Sequence, residues 1–259
     1  AHQVAGPEEI RPGDTVLIRA HGEKKQVIGH LKDIGAECVD ATCPNVLRVQ
    51  QIVARADAEG RVPIIIGDPN HPEVMGVASW SARSVVFEGA ETLQRWLDED
   101  PARRELPLTA VAQTTCIRII WDGAAEILKK QCTNAKIFDT ICNATHKRQS
   151  EAAELASQVD VMVVVGDRKS ANTKHLTEIC SRQCPAVYQI ERAEELKRDF
   201  LTGCSVAGLT AGASTPAGII KEVYTTMSEE IKTMEPTEES FEEMLEKSFK
   251  TLNTGEKVT

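Results

Sequence analysis

Two cysteines stand out by their neighbours. Cys43 closes the run Asp40-Ala41-Thr42 and is followed by Pro44, while Cys142 sits between Ile141 and Asn143. Proline is favoured in the first turn of a helix, so the Cys43 sulfur is expected at or near a helix N-terminus. Cys142 occupies the matching place in a second copy of the same pattern, described below. Helix N-termini favour anions, which suits a thiolate used as a nucleophile or metal ligand. If the copies pack around an axis, two such thiolates converge there. A third from an earlier copy would let them hold an iron-sulfur cubane with one iron open. Two other readings of the same residues remain: small capping residues in tight turns, or a thiol or zinc site.

A second group of residues offers protons and anion contacts. The loop Gly67-Asp68-Pro69-Asn70-His71-Pro72-Glu73 leaves the C-terminal end of an expected parallel strand, where open α/β sheets bind their ligands. His71 and Glu73 supply proton donors there, or else a plain surface pair. Their counterparts in the later copy are Ser170 and Asn172, so both loops present polar tips. Ser214 precedes Thr215-Pro216, which read as an N-cap and first helical residue, and such a terminus holds phosphate oxygens. His21 directly follows its strand and is read as a cationic donor. His146 and the pair Cys180 and Cys184 lack the two-pair spacing of a strong zinc site. Trp80, Trp96 and Trp121 read as packing anchors.

The elements that must position these residues come from a repeat. Residues 39–68 match residues 138–167 at a constant offset of 99 without a gap. Asp40, Cys43, Gln50, Ala54, Val62, Gly67 and Asp68 recur as Asp139, Cys142, Gln149, Ala153, Val161, Gly166 and Asp167. Each copy reads as a strand ending at the Asp, a turn holding the Cys, an amphipathic helix and a β-branched buried strand ending in Gly-Asp. That order reads as a βαβ unit. Each then returns to a strand and a turn, Gln113-Thr114-Thr115 in one and Gly212-Ala213-Ser214 in the other. Thr15 to Gly22 reads as the closing strand of a still earlier copy, so a first repeat with its own turn cysteine is expected about forty to sixty residues upstream of Ala1. The expected class is therefore α/β, a pseudo-three-fold repeat of small parallel-sheet domains. Residues 1–42 end the first repeat, 43–138 form the second, 139–230 the third, and 231–259 an acidic amphipathic connector whose Ser240 and Glu243 are spaced as a capping box.

Composition bounds the partners. The 259 residues carry a net charge of −9 and 41% hydrophobic residues, enough for two ordinary cores. The acidic balance lacks the basic face that nucleic acid requires, so none is expected as a partner of this part. No run approaches the roughly 18 apolar residues of a membrane span, and no export signal opens the chain, so no membrane partner and a cytoplasmic location are expected. Eight cysteines without dense regular spacing read as reduced thiols.

These motifs together resemble one family, the 4-hydroxy-3-methylbut-2-enyl diphosphate reductases (LytB/IspH), from about Thr15 to about Met227. The resemblance rests on Arg19-Ala20-His21-Gly22, Asp40-Ala41-Thr42-Cys43-Pro44, His71-Pro72-Glu73-Val74-Met75-Gly76, Gln113-Thr114-Thr115, Ile141-Cys142-Asn143-Ala144-Thr145 and Thr210-Ala211-Gly212-Ala213-Ser214. It implies three α/β repeats in a trefoil around a four-iron four-sulfur cluster, with Cys43 and Cys142 as two ligands and the third cysteine upstream. It also implies that His21, His71, Ser170, Asn172 and Ser214 hold the diphosphate or line its pocket. Glu73 and Thr114 would deliver protons, with His71 relaying or orienting them. The implied reaction reduces the allylic diphosphate to isopentenyl and dimethylallyl diphosphate with electrons from a ferredoxin or flavodoxin, in the non-mevalonate isoprenoid route. The family's first cluster cysteine and an early diphosphate-binding histidine have no counterpart, so these residues alone are expected to be inactive. Ala171 and Ala112 stand where the family often has Ser and Thr. The acidic tail resembles the connector that joins some bacterial members to ribosomal-protein-S1-like RNA-binding repeats, which would bring RNA as a partner. The rival reading is a non-catalytic diphosphate-binding or scaffolding module of the same fold.

Overall fold

The structure, a computed structural model, describes residues 4 and 6–234, so the expected connector lies outside the described residues from position 235 on. The chain divides into two compact units, Ala1–Ser150 and Glu151–Thr259.

The first unit contains two parallel sheets. In the smaller, β1 (Thr15–Ile18) runs through α1 (Lys25–Asp33) to β2 (Glu37–Asp40), paired with Leu17 opposite Val39. Next come α2 (Pro44–Ala58), β3 (Val62–Ile66), α3 (Pro72–Ala78), β4 (Val85–Phe87), α4 (Ala90–Glu99), β5 (Leu108–Ala112), α5 (Arg118–Gln131) and β6 (Ala135–Ile137). These strands form a sheet of order β4-β3-β5-β6. The β-branched run of β3 is explained by cover on both faces. Ile64 and Ile66 pack with Leu93, Leu97, Trp121 and Leu128 of α4 and α5, and Ile65 packs with Val46, Val49, Val53, Val74 and Val77 of α2 and α3. Each such buried side chain contributes about 1.5–3 kcal/mol. Helix α6 (Asn143–Ala156) begins in this unit.

The second unit takes in the end of α6 and adds β7 (Val161–Val165), α7 (Ala171–Ser181), β8 (Ala186–Ile190), β9 (Ala207–Ala211) and α8 (Ala217–Met234), with sheet order β8-β7-β9. Val161, Val163 and Val165 face Val223 and Met227 of α8, while Met162 and Val164 face Ala152, Ala156, Leu176 and Cys180. The fold class is thus α/β, built on three small parallel sheets. Strands β3 and β7 have the same bounds at the offset of 99, and so do β5 and β9.

One expectation is corrected. The helix after each cysteine does not join two strands of one sheet: β2 pairs with β1 and β6 with β5, whereas β3 and β7 belong to other sheets. The reason is local. The Cys43 amide donates to Ala20 O and the Cys142 amide to Thr114 O, both at 2.9 Å, which ties each cysteine turn to the turn after β1 or β5, the neighbour in the sheet of the strand leading into the cysteine. Helices α2 and α6 therefore lead out of one sheet into the next.

Candidate active site

The first turn of α3 holds a buried acid. His71 is the N-cap, Pro72 the first helical residue and Glu73 the second. Asp68 shapes the loop before them: its Oδ1 accepts from the Asn70 amide at 2.8 Å, and its carbonyl accepts from the His71 amide. Gln113 braces it, accepting from the Asp68 amide at 3.1 Å and donating to Thr115 Oγ1 at 3.0 Å. The side chain passes so close that a Cβ on Gly67 would lie 2.7 Å from it, so position 67 needs glycine.

Glu73 is 2% exposed, and both of its oxygens meet Thr114. Oε1 accepts from the Thr114 amide at 2.7 Å, and Oε2 pairs with Thr114 Oγ1 at 2.8 Å. Burial raises the pKa of this carboxyl above its ordinary value, and the two Thr114 bonds only partly oppose that. The amide can only donate, so a proton on Glu73 belongs on Oε2, facing the hydroxyl. His71 Nδ1 accepts from the Glu73 amide at 3.2 Å, which leaves Nε2 to carry the ring's hydrogen. His21 meets His71 edge to face, with ring centroids 5.3 Å apart. Gly22 turns the chain there at φ +74°, and a Cβ at that position would lie 2.7 Å from Gln50 Nε2. Partial burial, then the Arg19 charge, lower the pKa of His21 below its ordinary value, so the ring alone does not favour the expected cationic donor.

Cys43 is the N-cap of α2, with Pro44 behind it, and Cys142 directly precedes α6. Both are partly exposed, unlike the buried Cys116, Cys180 and Cys184. Burial pushes Cys116 up to about 12, so it stays a thiol although it borders the Gln113–Thr115 turn. The cysteine turns are shaped alike. Asp40 Oδ1 accepts from the Thr42 amide and Asp139 Oδ1 from the Ile141 amide, the self-bonding turn that explains the repeated Asp. Asn45, in the first turn of α2, donates from Nδ2 to Cys142 Sγ at 3.2 Å, which brings the two turns together. Among the described residues no group of three or more His, Cys, Asp or Glu could hold a metal ion. Two half-exposed thiols with an amide donor on one sulfur fit two corners of a thiolate-ligated cluster.

In the second unit the same backbone carries other side chains. Ser170 is the N-cap of α7 and accepts from the Thr173 amide, and Asp167 Oδ1 takes the Lys169 amide as Asp68 takes that of Asn70. Asn172 stands where Glu73 stands, 6% exposed, with neither Oδ1 nor Nδ2 partnered. The counterpart of Thr114 is Ala213, which has no hydroxyl to offer. Ser214 is exposed in the turn after β9, and the expectation that Thr215 caps the helix with Pro216 as its first residue is corrected by one position. Helix α8 starts at Ala217, and the Thr215 hydroxyl turns back to Val165 O at 3.0 Å instead of lying in the helix.

Sequence reasoning passed over Asn45 and the bracing role of Gln113. The Gln113-Thr114-Thr115 motif signalled the second, whereas an exposed Asn in a first turn gives no signal. The three tryptophans pack against the cores as expected.

The molecule keeps its chemistry-bearing side chains in the turns beyond its parallel strands, as α/β enzymes do. A profile of the LytB protein family matches residues 2–228. A 4-hydroxy-3-methylbut-2-enyl diphosphate reductase of Caldanaerobacter subterraneus subsp. tengcongensis is 39% identical over 234 residues, 90% of this chain and 78% of that protein. A solved (E)-4-hydroxy-3-methyl-but-2-enyl diphosphate reductase, described as the terminal enzyme of the non-mevalonate pathway, is 35% identical with a TM-score of 0.57, over 86% of this chain and 78% of that one. The E-1-hydroxy-2-methyl-but-2-enyl-4-diphosphate reductase of Plasmodium falciparum, 24% identical, shares the fold with a TM-score of 0.81 over 87% of this chain and 70% of that one. The chain belongs to the LytB protein family, and like these relatives it is an oxidoreductase.

Proposed function

We propose that the chain reduces (E)-4-hydroxy-3-methylbut-2-enyl diphosphate to isopentenyl and dimethylallyl diphosphate, in the cytoplasm, with electrons from a ferredoxin or flavodoxin. In that reaction the allylic C–O bond breaks, a C–H bond forms and the oxygen leaves as water, so two electrons and two protons are consumed. A four-iron four-sulfur cluster, with Cys43 and Cys142 among its ligands, would pass the electrons and offer an open iron as Lewis acid. The observation that carries the reading is the pairing of Glu73 with Thr114 beside His71, because a reduction that expels water needs a proton held ready away from bulk solvent.

The proton path follows from the bonds. The Thr114 hydroxyl donates to Glu73 Oε2 at 2.8 Å; a proton on Oε2 would reverse that bond and free the threonine's own hydrogen to donate onward to the substrate hydroxyl. The Thr114 amide fixes Oε1, so the acid cannot turn its proton away. His71, with its hydrogen on Nε2, and His21 are the proposed contacts of the substrate in the first unit. In the second unit Ser170, Asn172 and Ser214 are the proposed diphosphate contacts. The unpartnered Asn172 amide supports this, since a buried amide left without partners costs about 1–3 kcal/mol that a ligand would recover.

The test is Cys43→Ala and Cys142→Ala in the intact protein, prepared anaerobically, with iron, sulfide and turnover measured together. Loss of all three is expected. Undiminished turnover would refute the reading, zinc in place of iron would point to a thiolate metal site, and diphosphate binding that survives chelation without iron would favour a non-catalytic module.

A further inference from the structure

We propose that Asn45 is a positioning residue that tunes the electron-accepting centre through the Cys142 sulfur. This rests on the reading of Cys142 as a cluster ligand. The Asn45 amide donates from Nδ2 to Cys142 Sγ at 3.2 Å across 97 residues of sequence. Asn45 is the second residue of α2, directly after the Cys43 cap and Pro44, so one short segment carries one thiol and reaches the other. The counterpart of Asn45 at the offset of 99 is Ala144, which carries no amide; the amide of α6 sits one place earlier, on Asn143. The duplicated scaffold therefore gives the two sulfurs unequal surroundings, with a side-chain donor on Cys142 supplied by the turn of Cys43.

The consequence follows from charge. An N–H directed at a thiolate is a charge-assisted bond, and it withdraws electron density from the sulfur. Hydrogen bonds to ligand sulfurs are among the levers that set cluster potentials, and they favour the more electron-rich, reduced state. Asn45 thus makes the centre easier to reduce and holds the Cys142 turn in place relative to α2. Its side chain is exposed, so replacing it leaves the cores intact.

The experiment is a potentiometric titration, followed by electron paramagnetic resonance, of the intact, anaerobically purified protein and its Asn45→Leu and Asn45→Asp variants, with iron and sulfide counted in each. A shift to more negative potential is expected in Asn45→Leu, and a larger one in Asn45→Asp, which keeps the shape but replaces the donor with a negative charge. Equal potentials in all three at full iron content overturn the proposal. Should a variant lose iron, deuterium exchange of the unaltered protein decides: a shift in the iron–sulfur stretching bands supports the N–H to sulfur bond, and its absence overturns it. Wild-type protein without iron and sulfide overturns the cluster reading itself, a different failure from an unchanged potential in a loaded cluster.

Discussion

At the start of α3, Glu73 lies buried with both oxygens engaged by Thr114; at the start of α7, Asn172 lies equally buried with both amide atoms unengaged. The backbones around them agree closely. In each, an Asp two residues beyond the strand bonds the amide two positions on, and the residue at the start of the following turn, Gln113 or Gly212, donates its amide to the last strand carbonyl, Ile66 or Val165, at 2.8 Å. The difference lies in the pairs Glu73 with Thr114 and Asn172 with Ala213. One copy closes its polar group on a hydroxyl, which supports the proposed proton store, while the other leaves its amide unpartnered among the described residues, which supports the proposed ligand contact.

The largest expected break in this comparison is Glu73→Gln. Glutamine reproduces both bonds, accepting from the Thr114 amide and donating to Thr114 Oγ1, but it has no proton to give. Turnover should fall by about 10²- to 10⁴-fold with KM little changed. Stability carries a second signature. The folded pKa of Glu73 is raised, so its contribution to stability is fully present below the ordinary carboxylate value and is lost as pH rises through the raised one. Urea unfolding from about pH 4 to about pH 8 should therefore show the variant gaining on the wild type as pH rises. A constant difference across that range would mean that Glu73 is ionised in the fold.

Thr114→Val follows in size. It leaves Glu73 Oε2 buried without its partner at a cost of about 1–3 kcal/mol, and it cuts the proton path, so both the melting temperature and turnover should drop. Asn172→Ala should do the opposite to stability. It removes two buried atoms that have no partners, so the ligand-free protein should unfold at the same or higher urea concentration. Binding of inorganic pyrophosphate, read by calorimetry, should weaken about ten- to a hundredfold for the loss of one bond to a charged oxygen. Unchanged pyrophosphate affinity would remove Asn172 from the anion site.

Much of this contrast was legible before the structure. The constant offset paired Glu73 with Asn172 and Cys43 with Cys142, and the runs Val62–Ile66 and Val161–Val165 read as strands because alternate residues must face helices on both sides. Strand partners were legible only in part: side-chain pattern reports which faces are covered, not which edge bonds to which, so the βαβ reading links β2 to β3 and β6 to β7, whereas the repeat bounds at 42 and 138 keep β2 with β1 and β6 with β5. The start of α8 was misread because Pro216 signals a first helical turn, while the Thr215 hydroxyl is drawn to Val165 O and delays the helix. The lowered pKa of His21 comes from burial and from the Arg19 charge, neither of which the spacing encodes. The Asn45 contact joins residues 97 apart through an exposed side chain, so no periodicity points to it.

The smallest and sharpest test rebuilds one copy in the image of the other. Ala213→Thr places a hydroxyl at the counterpart of Thr114, where it can bond the Asn172 amide as Thr114 bonds Glu73. One new bond to a stranded group should stabilise the ligand-free protein by about 0.5–1.5 kcal/mol in urea unfolding. The same bond competes with the ligand, so pyrophosphate affinity should fall by about the factor that the stability gain represents. Stabilisation together with weakened binding would show that a single hydroxyl decides between a closed and an open turn. A change in neither would mean that the equivalence of the two turns ends at the backbone, and that Ala213 does not face Asn172 as Thr114 faces Glu73.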